Sequence, residues 1–519
     1  MSDRPPPTDP RLRRAAAHAD AGRPPSLRSL PGPDGVRLAA WLEGPADAPR
    51  LAVLAPPEDP ALTGGHWTDR TPDGDDAVAR GPADATNAAW LRATFSALRP
   101  QPLGPGASAG FGDRLGLATP GHVRALRAAD PHGTIRPIYA QQSIREMGRT
   151  GRTPQAVMDD ATWGAFEAGH DGPLGADADH LKTADDVRAT AAAGFTLFTF
   201  DPGDRVDDDA DHATGATLDA KLDALPWDAL ETTQADHLRR YGGRRLDLGD
   251  VALEVTPEDA ARAAAKYGAA LAHARALHAA LVETDVPHEI EISVDETGTP
   301  TRPVEHALLA LELRRLALPV VSLAPRFVGR FEKGVDFRGD LGTLRATLAV
   351  HGAIATQLGG YKLSLHSGSD KFSVYPLIAA ATHGAVHLKT AGTSYLEALR
   401  VAATRAPDLF RAILATARAH FETDRASYLI GADLARVPAP DVLGDADLPA
   451  LLDDDDARQV LHVTYGSALD AHRPDLRALL LREREAHAAT LERHFVRHLT
   501  PFVGPTDATG AAARPKESA

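Results

Sequence analysis

One feature constrains this chain more than any other. From Ile135 to Gly466, short β-rich runs recur, and each is followed by an amphipathic helical stretch. The runs are "IRPIYAQQ", "GADADHLK", "FTLFTFDP", "EIEISVDE", "PVVSLAP", "YKLSLHSG", "AVHLKTAG" and "VLHVTYG". Helical intervals such as "TPQAVMDDATWGAF", "ADDVRATAAA" and "PVEHALLALELRRLA" separate them. Alternating β and α elements imply parallel strands joined by right-handed crossovers. Eight such units predict an α/β fold of the (β/α)8 TIM-barrel type, with an N-terminal extension and a long insertion after the third strand, at about residues 204–250. An open doubly wound sheet is the alternative, but no Gly-rich dinucleotide turn or phosphate-loop lysine follows an early strand.

Four regions follow from this pattern. Residues 1–35 are rich in Pro, Arg and Asp and are expected to form a disordered or loosely docked arm. Residues 36–130 are an N-terminal segment packing on the barrel, with strand-like "VRLAAWL" and "LAVLAP", a helical stretch, and a Gly-rich loop around "GASAGFGDRLGLATPGH". The catalytic barrel is assigned to 131–500 and a flexible tail to 501–519.

A barrel carries its chemistry at the C-terminal ends of its strands. Successive strand side chains point to opposite sides, so outward apolar residues imply inward polar ones. Leu363 and Leu365 therefore turn Lys362, Ser364 and His366 inward. Val386 and Leu388 do the same for His387 and Lys389, and Leu461 and Val463 for His462. Glu289, Glu291 and Ser293 alternate with Ile290 and Ile292 in the same way. So many buried polar groups must be hydrogen-bonded, ion-paired or bound to metal. Glu289 has two readings, a structural ion pair with Lys362 or a catalytic group.

The chain has no cysteine, which excludes thiolate zinc sites and cysteine nucleophiles. His180, Glu291 and His366 together suit a divalent metal with hard-to-borderline ligands, and Zn, Mn, Ni, Co and Fe are all compatible. A bulge at a strand end would aim both Asp179 and His180 at the barrel mouth. Glu291 is the candidate partner in acid/base work. The turns "HSGSDK" and "KTAGTS" expose Ser, Gly and Thr backbone, which suits either an anion or ordinary helix capping. The net charge of -15 argues against nucleic acid and anionic membranes as partners. The N-terminus lacks an apolar signal core, so a cytoplasmic protein is expected.

The segments "GFGDRLGLATPGH", "GADADHLKT", "EISVDET", "SLAPRFVGRFEKGVDFRGDL", "KLSLHSGSDKFSVYP", "HLKTAGTSYLEALR" and "HVTYGS" resemble the bacterial tagaturonate/fructuronate epimerase family, over roughly residues 108–470. The resemblance implies a metal-dependent isomerase of hexuronate breakdown that interconverts D-tagaturonate and D-fructuronate. These keto acids differ at a carbinol carbon β to the ketone, so loss of an α-proton cannot invert it. Retro-aldol cleavage and re-addition to the other aldehyde face would. The roles that follow are Asp179 and Glu291 for proton exchange, and His180, His366 and Glu332 for one divalent metal ion. Gln142, Lys389, Arg338, Ser367, Ser369, Lys371, His387, Asp113 and His462 are the expected substrate contacts, with His387 and His462 alternative metal ligands. The expected partner is a small-molecule sugar acid, and a homo-oligomer is compatible with the sequence. Competing readings are a metal-dependent tagatose/fructose 4-epimerase, aldose–ketose isomerase or class II aldolase, and a non-catalytic sugar-acid-binding barrel.

Overall fold

The structure, a computed structural model, describes residues 9–19, 27–32 and 35–503. The expectation for the tail lies outside these residues beyond Val503, as does much of the expectation for the arm. What is described of the arm is a docked helix, Pro10–Ala19. It buries Ala15 and Ala19 beside Trp41, and Arg11 grips Asp76 at 2.7 and 2.8 Å.

Five antiparallel strands come first: β1 (Arg28–Gly32), β2 (Gly35–Glu43), β3 (Arg50–Ala55), β4 (Asp69–Asp73) and β5 (Asp76–Pro82). Their order is β1-β2-β3-β5-β4. The helix Ala85–Thr94, capped by Asp84, leads from this sheet toward the barrel.

The barrel consists of β6 (Ser108–Gly112), β7 (Arg136–Ser143), β8 (Gly175–Leu181) and β9 (Leu197–Phe200). After the hairpin β10 (Arg244–Leu248) and β11 (Val251–Val255), it continues with β12 (Glu289–Ser293), β13 (Val320–Ala324), β14 (Lys362–Leu365) and β15 (Val386–Thr390). The eight barrel strands are parallel, and β15 pairs with β6 to close the ring. Phe198, Phe200, Ile290, Ile292, Leu363, Leu365, Val386 and Leu388 are buried against the surrounding helices. Each contributes about 1.5–3 kcal/mol of apolar burial.

Three expectations need correction. The barrel begins at Ser108, not after residue 130. Its first strand, "SAGFG", consists mostly of small residues because it runs along the crowded closing seam. A Cβ on Gly112 would sit 2.4 Å from the Cα of Ala391. The run expected as the eighth strand, "VLHVTYG", is instead the end of a helix, Asp455–Val463, capped by Asp454. Asp454, Asp455 and Asp456 start this helix, which buries Val460, Leu461 and Val463. The insertion at 204–250 consequently follows the fourth barrel strand rather than the third.

The floor of the barrel is closed by the segment 103–106. Glu289 accepts hydrogen bonds from the N–H groups of Leu103 and Gly104, and Lys362 donates to the carbonyls of Gly104 and Gly106. Both residues are therefore structural, joined through this segment. After β15 the chain forms a second helical core, and its last long helix, Arg484–Leu499, packs on Thr119–Ala129.

Candidate active site and metal centre

At the end of β8 the ladder to β9 slips between Ala178 and Leu181, and His180 takes a φ of 53°. The bulge breaks the alternation, so Asp179 and His180 both reach the barrel mouth. Side chains of Asp179, His180 and His366 offer ligand atoms that all lie within 4.8 Å of one another. The two imidazole rings stand edge to face with centroids 5.1 Å apart. A second set, His180 with Asp201 and Glu296, shares the same histidine.

Beneath them lies a buried ionic layer. Lys389 Nζ is 2.7 Å from Asp179, 2.9 Å from Asp177, 2.9 Å from Glu291 and 2.7 Å from Thr199 Oγ1. Glu291 Oε1 is 2.6 Å from His366 Nε2, and Asp295 is 3.0 Å from His366 Nδ1. His180 Nδ1 is 3.1 Å from Asp201. Burial opposes every charge here, yet the charges of His180, Lys389 and His366 hold the Asp179 carboxyl well below its usual range. Burial likewise disfavours imidazolium, but Asp179 and Asp201 raise His180 to about 9, and Asp295 and Glu291 raise His366 to about 10.

The donor set fits a divalent cation. Four carboxylates, of Asp177, Asp179, Glu291 and Asp295, surround one lysine and two imidazoles, so neutral imidazoles would leave an excess of negative charge. Glu291 Oε2 is also buried without a hydrogen-bond partner. A cation restores the balance that two imidazoliums otherwise supply.

Above this layer is a cleft that opens to solvent. Asp179, His180, His366, Ser367, Ser369, Lys389 and His462 line it, all expected from the sequence. His462 lies on the helix Asp455–Val463, and Nδ1 of its imidazole is buried without a partner. Burial first, then the charges of Arg114 and Lys333, hold it neutral.

Other expected residues lie elsewhere. Glu291 is fully buried below the cleft, not on its wall. Glu332 joins neither imidazole in a ligand set among the described residues. It pairs with Arg330 and Arg338, and accepts from the Gly431 N–H and Gln459. Arg338 is held between Glu332 and Asp455. The ammonium of Lys371 is committed to the carbonyls of Glu332, Val335 and Ser369. Asp113 caps three backbone N–H groups, of Leu115, Gly116 and Ala118. His387 sits deep between Ser108 and Asp177, and Gln142 donates to Glu146.

Sequence reasoning missed Arg114, Arg145, Glu146, Lys333 and Tyr428, which also line the cleft. Arg114 bonds Glu146 at 2.9 Å and stacks over Tyr465 at 3.6 Å. Lys333 donates to Ser367 Oγ at 2.6 Å. Arg145 pairs with Glu296 at 3.2 Å, leaving its Nε buried and unpartnered. The available signals were faint: Arg114 and Lys333 each follow a residue already singled out, and Arg145 and Glu146 follow the helix cap Ser143.

The profile of a family described as tagaturonate epimerase matches residues 62–502. A tagaturonate/fructuronate epimerase of Thermotoga maritima is 43% identical over 416 residues, covering 80% of this chain and 84% of that protein. The native crystal structure of a fructuronate-tagaturonate epimerase from Cohnella laeviribosi superposes with a TM-score of 0.84 at 32% identity, over 94% of this chain and 98% of that one. Its complex with one glycerol gives 0.83 at 32% identity, over 95% and 98%.

Proposed function

The chain belongs to the tagaturonate epimerase family, and from that membership and the site's geometry we propose that it interconverts D-tagaturonate and D-fructuronate with one divalent metal ion. The observation that carries this reading is the bulge in β8, which delivers Asp179 and His180 together to a cleft that already holds His366. His180 and His366 would hold the ion, with Asp179 beside it. When bound, it supplies Lewis acidity to the substrate's ketone oxygen and neighbouring hydroxyl.

The chain's own groups then have distinct tasks. Arg145 and Lys333 on the cleft wall suit the substrate carboxylate, and Ser367, Ser369 and His462 its hydroxyls. Of the two carboxylates on the wall, Asp179 stands with His180 and His366 while Glu146 lies with Arg114 and Gln142, so Asp179 takes the carbinol proton as the C–C bond breaks. The electron pair of the broken bond is left on the ketone half, and the aldehyde half turns. Re-addition to its other face re-forms the bond with inverted configuration, and the proton held by Asp179 returns to the new alkoxide with His462 as relay. Lys389 and Glu291 hold Asp179 and His366 in place from below.

Proton NMR of tagaturonate incubated with metal-stripped and then metal-restored protein tests the reading. Fructuronate should appear only after restoration. No fructuronate in either sample rejects the assignment, and three-carbon fragments as the end product would indicate an aldolase. In D2O the inverted carbon should carry no deuterium, because no C–H bond to it is broken. Deuterium there rejects retro-aldol chemistry.

A further inference from the structure

Behind the cleft, and not lining it, lies a second buried polar cluster. Asp370 Oδ2 is 2.8 Å from Arg458, and Oδ1 is 2.8 Å from His494 Nε2. The backbone N–H of Asp370 donates to His498 Nε2 at 3.0 Å. His494 in turn meets Thr393 Oγ1 at 2.8 Å and Glu397 at 3.5 Å. Arg458 also donates to the carbonyl of Gly334 at 2.7 Å and to that of Leu452 at 2.6 Å. All the side chains of this cluster are buried.

The elements joined here are those that form the cleft walls. Gly334, Ser367 and Ser369 of the turn before Asp370, Gly392 and His462 each line the cleft, and each lies near a member of the cluster in space or along the chain. The turn itself is strained: Ser367 has φ 49° and Asp370 φ 62°, both in the left-handed region. Residues persist there only where the surroundings over-determine them. Gly368 is pressed so closely that a Cβ would meet the carbonyl oxygens of Leu365 at 2.7 Å and Lys389 at 2.8 Å.

We infer that Asp370 is a positioning residue of the reaction: one carboxylate, through Arg458 and His494, keeps three cleft walls in register without touching substrate. This rests on the proposed epimerase reading for its catalytic consequence, though not for its structural one. Asp370, His494 and His498 also have ligand atoms within 4.8 Å of one another, a spacing that would suit a metal. The Arg458 guanidinium, 2.8 Å away, supplies the positive charge beside Asp370 in place of an ion, while Asp370 Oδ2, Arg458 Nη2 and Glu397 Oε1 make no hydrogen bond.

The test uses the full chain with Asp370→Asn, Arg458→Lys and His494→Gln, singly and in pairs. Asp370→Asn should raise KM for tagaturonate about 10-fold or more at unchanged metal content, with a smaller fall in kcat. Paired substitutions should add little to the single ones, because all act on one network. Hydrogen exchange read by mass spectrometry should speed up about 10-fold over 366–371 and 391–393 in each variant. That readout does not depend on turnover, so it stands or falls separately from the epimerase assignment. Unchanged exchange in both turns, wild-type KM in a folded variant, or fully additive effects would each overturn the inference. So would a second equivalent of divalent metal in the wild-type protein that His494→Gln loses. If Asp370→Asn does not fold, the exchange and KM of the Arg458 and His494 variants decide the question alone.

Discussion

Glu291 Oε1 lies 2.6 Å from Nε2 of His366 and 2.9 Å from Nζ of Lys389. A fully buried carboxylate thus orients one imidazole and one ammonium of the layer above it. Glu291→Gln keeps the shape and removes the charge. Metal affinity should fall about 10–100-fold, with turnover partly recovered at saturating metal. A metal titration followed by activity checks this, and an unchanged midpoint would show that His366 does not need its partner.

Arg145 is a cleft cation with donor capacity left over. Arg145→Gln should raise KM for tagaturonate about 10–100-fold while kcat changes by less than about threefold, the signature of lost uniform binding. Steady-state kinetics separate the two parameters. A fall in kcat at constant KM would place the carboxylate elsewhere.

Gly392 leaves room for His462: a Cβ there would lie 2.0 Å from Cε1 of the imidazole. Gly392→Ala must push His462 from its place on the cleft wall. We expect kcat/KM to drop about 10-fold or more while the thermal midpoint changes little, because the ring can move into the cleft. Parallel kinetics and calorimetry decide this. Retained activity would mean that His462 takes no part.

Lys362, under the barrel floor, sets a pH dependence. Burial lowers its ammonium from 10.5 to about 8, despite the pull of Glu289, Glu291 and Asp177. Between those values the unfolded chain holds the proton and the folded chain does not, so stability rises with pH across this window. The contribution is lost as pH falls through about 8. Relative to Lys362→Met, the wild-type chain should gain up to about 3 kcal/mol from pH 8 to 10.5. Urea unfolding across that range measures it, and a flat or falling difference would contradict the burial of a charged amine there.

Much of the site was readable because strands announce their faces. In β14 the alternation of Lys362, Leu363, Ser364 and Leu365 fixes the direction of His366, and β15 does the same for Lys389. Helices and loops give no such rule for a short run. "VLHVTYG" holds three β-branched residues, and only the acidic cap before it, Asp454, marks it as helical. His462 still reaches the cleft, from a helix rather than a strand. In the loop after β13, neighbours Glu332 and Lys333 point to different partners, and nothing in their order says which one faces the substrate. The first strand escaped notice because a close-packed seam selects glycine, alanine and serine, the residues that otherwise mark a loop.

That seam has a bearing on how the chain is made. Thr390 Oγ1 donates to the carbonyl of Gly110, across 280 residues of sequence. A ribosome adding about 5–20 residues per second leaves the first barrel strand waiting roughly 15–55 seconds for its neighbour. Throughout that interval its edge is unpaired, and the helix Arg484–Leu499 that covers Thr119–Ala129 arrives later still. The antiparallel sheet β1–β5, with its edges complete by Pro82, is finished before the waiting begins. All five of its strands are made before the first barrel strand, so this sheet can pair while the barrel's edge still waits.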